Sequence, residues 1–147
     1  MVSKIAHRHL CHEAIVSPVR QRRWGILAAM RKAYAHDAVV TMAADGDIRA
    51  PGGAITVALC GRIDHDPPCP VAPHHTAADR DGDEVRLRIL FATEPSRAAE
   101  VRSGIEGALR TGTFDGPDGA TTRWQLRESA PGTVSPAELD HAERLKR

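Results

Sequence analysis

Hydrophobic and polar positions along this chain repeat with two periods. Val85, Leu87, Ile89 and Phe91 alternate with Arg86 and Arg88. That period of two predicts a strand with one buried face. Ile55, Val57, Leu59 and Ile63 alternate in the same way with Thr56, Ala58, Cys60, Arg62 and Asp64. A strand is expected there too, with Cys60 on the face shared by Arg62 and Asp64. Arg123-Trp124-Gln125-Leu126-Arg127 predicts a third.

Elsewhere the spacing is helical. Ala98, Val101, Ile105, Ala108 and Leu109 form one stripe between Ser96 and Gly112, a start and a stop for a helix reaching about 111. Ser135-Pro136-Ala137-Glu138 is a capping box, followed by a short helix with Leu139, Ala142 and Leu145 inward. Near the start, Ser17-Pro18 opens a stripe of Val19, Ile26, Leu27, Met30, Ala33 and Tyr34. With Arg20, Arg22, Arg31 and Lys32 on other faces, this is a basic amphipathic helix over 18–36.

Residues 44–53, 79–83 and 115–119 are rich in Gly, Asp and Pro and read as turns or linkers. The first of them divides the chain. Residues 1–50 form an N-terminal extension, partly disordered, that carries the basic helix; residues 51–147 form a small domain. Its order, β-loop-β-α-β-α, predicts an α+β fold: a mostly antiparallel sheet of about three strands with two helices on one face.

Composition adds three constraints. Five aromatic residues in 147 leave an aliphatic core. The formal net charge is +1, split as +4 over residues 1–50 and −3 over the rest. Such a balance disfavours a dedicated nucleic-acid or membrane-surface protein. No apolar run reaches the about 18 residues of a spanning helix, and a cytoplasmic location is expected. Three cysteines in a reducing compartment argue against a disulfide scaffold and favour metal ligands or inert thiols.

The chemistry concentrates between residues 60 and 75. Cys60, His65, Cys69, His74 and His75 lie there, with Pro67, Pro68, Pro70 and Pro73 stiffening the stretch. Thiolate and imidazole are the preferred ligands of zinc, four of them in structural sites. A returning loop would gather Cys60, His65, Cys69 and either His74 or His75 around one zinc ion, in a structural or regulatory role. Arg62 would tune the Cys60 thiolate. The separations are longer than those of zinc-finger knuckles, so no named module follows.

A metal-free protein-interaction or oligomerisation module, with a protein partner or a second copy of the chain, is the alternative reading. A small hydrolase or redox enzyme using Cys60 or Cys69 with His65 is a weaker one. His7, His9, Cys11 and His12 form a second group that fits a disordered tail. Arg86, Arg88, Arg123 and Arg127 are expected on one sheet face, either as an anion surface or paired with acids. Phosphate-loop, dinucleotide, nucleophile-elbow and zinc-protease signatures do not occur, which leans against an enzyme.

Overall fold

The computed structural model describes residues 31–61 and 72–147. Strand β1 spans Lys32–Met42, helix α1 Ala50–Cys60, β2 His74–Asp81 and β3 Glu84–Thr93. A short 3-10 turn at Pro95–Arg97 leads into α2, Ala98–Thr111. Strands β4, Thr113–Asp115, and β5, Thr121–Gly132, follow, and a turn at Pro136–Glu138 opens α3, Leu139–Leu145. The fold class is α+β as expected. The sheet has five strands rather than about three, in the order β2-β3-β1-β5-β4. Every ladder is antiparallel, and the sheet curls into a half-barrel.

Two expected elements are different elements. Residues 32–36, read as the end of a basic helix, lie in β1; residues 18–30 of that helix are outside the described residues. Far from an extension, 32–42 is the central strand, paired with both β3 and β5. Tyr34, His36, Ala38, Val40 and Met42 lie at a period of two on the helix-covered face. The helical stripe had captured Tyr34 alone.

The strand expected from residue 54 is α1. Pro51 sits in its first turn, where a missing N–H costs nothing, and Gly61 ends it with a left-handed φ of 77°. Ile55 and Leu59, one turn apart, are buried, while Val57 is 39% exposed. That contrast is helical. Thr56 is the one polar side chain between Ala54 and Cys60, so alternation and helical period both fitted.

Helices α1 and α2 pack on each other and on the inner face of the sheet. Between them Val40, Ile55, Leu59, Ile89, Phe91, Val101, Ile105 and Leu109 form the core. Gly52 brings α1 onto the edge strand: a Cβ there would stand 3.3 Å from the Thr76 Cβ.

Helix α3 lies on the opposite face, a departure from the expectation of two helices on one side. Its capping box forms as expected, with the Ser135 N–H donating to Glu138. Glu138 also anchors the helix to the sheet. Arg88 donates to both Glu138 oxygens at 2.7 and 3.1 Å, to Asp37 at 2.8 Å and to the Thr133 carbonyl at 2.6 Å. The Arg88 guanidinium holds the Glu138 carboxyl down at about 2, helped by the Ser135 N–H.

Candidate functional site

The junction between the end of α1 and the start of β2 brings Thr56, Cys60 and His74 together. Gly52, Thr56 and Cys60 recur every fourth residue, so they share one stripe of α1. His74 opens β2 opposite Phe91 and faces the same interior as α1. Its Nδ1 lies 2.9 Å from the Ala72 carbonyl and 4.0 Å from Cys60 Sγ, and its Nε2 lies 3.1 Å from Thr56 Oγ1. Thr56 Oγ1 is also 3.1 Å from the Gly52 carbonyl.

Those contacts define the proton positions. A carbonyl can only accept, so Nδ1 carries a proton towards Ala72. Thr56 has a single hydroxyl proton and two acceptors in reach. With His74 neutral, the hydroxyl donates to Nε2. When it donates to Gly52 instead, Nε2–H donates to it. The threonine is therefore a rotor that accommodates either state of Nε2.

Beside this junction lies a cleft of about 370 Å³, lined by Ile48, Gly52, Thr56, His74, Thr76 and Ala78 among others. Thr76 Oγ1 is buried there with no hydrogen-bond partner.

Of the five expected metal ligands, Cys60, His74 and His75 are among the described residues. Cys60 and His74 come together. His75 does not join them, because neighbouring strand residues point to opposite faces. It pairs with Leu90 on the outer face, and its ring centre is 4.8 Å from that of His141 in α3. His65, Cys69 and Arg62 lie outside the described residues, as do Asp64 and the group His7, His9, Cys11 and His12. Among the described residues no three His, Cys, Asp or Glu side chains are grouped to hold a metal.

Cys60 is disulfide-bonded, which corrects the expectation of free thiols. The arginines expected on one face are largely paired: Arg86 with Glu84, Arg88 with Asp37 and Glu138, and Arg127 with the Thr41 hydroxyl. Arg88 is thus part of the α3 anchor rather than of an anion surface.

A buried polar cluster escaped the sequence reading. His36 is 4% exposed. Arg102 of α2 donates from Nη1 to His36 Nδ1 at 3.0 Å and to the Ala35 carbonyl at 2.8 Å. Arginine cannot accept, so Nδ1 is bare and Nε2–H donates to Ser129 Oγ at 2.8 Å. A bulge in β5 places Arg127 and Glu128 both outward, which returns Ser129 to the inner face.

Burial, and after it the Arg102 charge, lowers the His36 pKa from 6.5; Glu106 and Asp37 oppose that shift. An unfolded chain therefore takes up this proton before the folded one does. Stability present above pH 6.5 is expected to fall as pH drops through the lowered folded value. A second loss is expected below 4.5, as Glu138 protonates towards its folded value of about 2. Urea unfolding from pH 7.5 to 3 measures both, and His36→Gln should flatten the first window alone. An unchanged profile in that variant would count against the assignment.

No described helix is long and apolar enough to cross a membrane. No known protein family, curated protein or solved structure matches the chain.

Proposed function

We propose that the α1–β2 junction is a thiol-gated site for a transition metal, zinc foremost, with a regulatory role. Cys60 and His74 serve as two ligands, and His65 and Cys69 complete the set. The observation that carries this reading is the 4.0 Å between Cys60 Sγ and His74 Nδ1. Two ligands of one tetrahedral zinc, bonded at about 2.3 and 2.1 Å, stand about 3.6 Å apart. A shift of a few tenths of an ångström therefore separates the two arrangements.

The surroundings of His74 suit the role. A metal held by Nδ1 would leave the ring proton on Nε2, where it would donate to Thr56 Oγ1 while the Thr56 hydroxyl donates to the Gly52 carbonyl. Such outer hydrogen bonds fix the ring and raise its basicity. The disulfide state excludes the metal, because a disulfide sulfur is not a thiolate. A dithiol reductant opens the bond, supplying two electrons and two protons and becoming a disulfide itself. The two thiols, once deprotonated, would serve as the sulfur ligands. Four protein ligands leave no open position, so the role is regulatory rather than catalytic.

Elemental mass spectrometry on untagged protein tests this, with and without anaerobic dithiol treatment. Reduced protein is expected to hold about one zinc per chain more than oxidised protein. Cys60→Ser and His74→Ala should each lower retention on dialysis while the circular dichroism stays native. Reduced protein that holds no more zinc than oxidised protein, or variants that retain zinc like the parent, would overturn the proposal.

A further inference from the structure

We infer that His75 and His141 form a separate chelate for a divalent transition metal on the outer face of the sheet, one that clamps α3 to the edge strand β2. This goes beyond the junction site and shares no ligand with it.

The argument begins with spacing. The two ring centres are 4.8 Å apart with the planes inclined by 57°. A metal bonded to an imidazole nitrogen at about 2.05 Å sits about 3.2 Å from the ring centre. Two imidazoles on one metal at angles of 90 to 109° then have centres roughly 4.5 to 5.2 Å apart. The observed separation lies inside that interval, which spans cis positions of a square plane and those of a tetrahedron.

Each ring is held from a different direction. His75 is placed by the β2–β3 ladder opposite Leu90. His141 is placed by α3, whose Ala142 is 2% exposed and whose preceding Glu138 is tied to Arg88. The two positions are remote in sequence, so a metal joining them closes a long loop. His75 is exposed, which lets water fill the remaining coordination positions. Imidazole with water suits copper(II), nickel(II) and zinc(II), rather than the hard cations that prefer carboxylate oxygens.

The test is a nickel(II) and zinc(II) titration of the full oxidised chain, in which the disulfide withholds the Cys60 thiolate from the junction site. Wild type, His74→Asn, His75→Asn and His141→Asn are compared by calorimetry and thermal melting. Wild type and His74→Asn are expected to bind one equivalent that raises Tm, as any ligand selective for the folded state does. In His75→Asn and His141→Asn the affinity for that equivalent should fall by roughly tenfold or more, the loss of one of two chelating ligands.

Copper(II) should also broaden the ring signals of His75 and His141 together, before that of His36. Equal binding by all four proteins would overturn the inference. So would copper broadening that spares either ring. Failure here leaves the junction site intact, because that site is read out in reduced protein through Cys60 and His74.

Discussion

Phe91→Ala is expected to lower the unfolding free energy by about 3–5 kcal/mol, the range for removing a fully buried aromatic ring. Phe91 is 0% exposed and lies in β3 between its two ladder partners, Tyr34 of β1 and His74 of β2. It stacks on Tyr34 at 5.4 Å, and the Arg102 guanidinium lies 5.3 Å from its ring centre. Truncation therefore removes three things at once: buried apolar area, an aromatic pair and a cation–π contact. The cavity would open beside His74. Phe91→Leu, which keeps most of the volume, is expected to lose less than half as much. Urea unfolding monitored by circular dichroism gives both values. A loss below about 1 kcal/mol for alanine would mean that the ring is not part of the core.

Trp124→Ala is the second large expected effect, again about 3–5 kcal/mol. The indole is 7% exposed, and its N–H donates to the Leu109 carbonyl at 2.9 Å. Leu109 lies in the last turn of α2, where carbonyls have no partner within the helix. The tryptophan therefore fills core volume and satisfies a helix end in one residue. Trp124→Phe separates the two contributions. It keeps the aromatic packing and leaves that carbonyl unpaired, a cost of about 1–3 kcal/mol. Thermal melts of the two variants should rank phenylalanine between wild type and alanine. A phenylalanine variant as stable as wild type would show that water reaches the carbonyl.

How far the chain can be read without its structure depends on the element. Strand β3 was legible because Arg86 and Arg88 interrupt its apolar residues on alternate positions. Helix α2 was legible because its buried stripe is flanked by charge, and α3 because Ser135 and Glu138 satisfy each other locally. Where polar residues do not mark a face, the period becomes ambiguous. In α1 nearly every residue is apolar or small, so a strand reading of Ile55, Val57 and Leu59 competed with a helix. In β1 both faces are partly covered, which erases the contrast that alternation needs.

Within the stretch 60–75, the separation of His74 from His75 was not legible. His74 and His75 differ only in direction. That direction depends on which strand they occupy and on what covers each face. Cys60 meets His74 because residues 50–60 are a helix that ends at Cys60, not the strand that was expected.

The sequence by itself determined the α+β class, the periods of β3 and α2, the capping box of α3, the glycine that ends α2, and the stretch that carries Cys60, His74 and His75. All of these rest on interactions between near neighbours. Tertiary structure alone decided that 32–42 is the central strand, that α3 crosses to the outer face, that His36 is buried against Arg102, and that His75 turns towards His141. Those outcomes depend on residues brought together from distant parts of the chain, and their energies are expressed only once the sheet has closed around them.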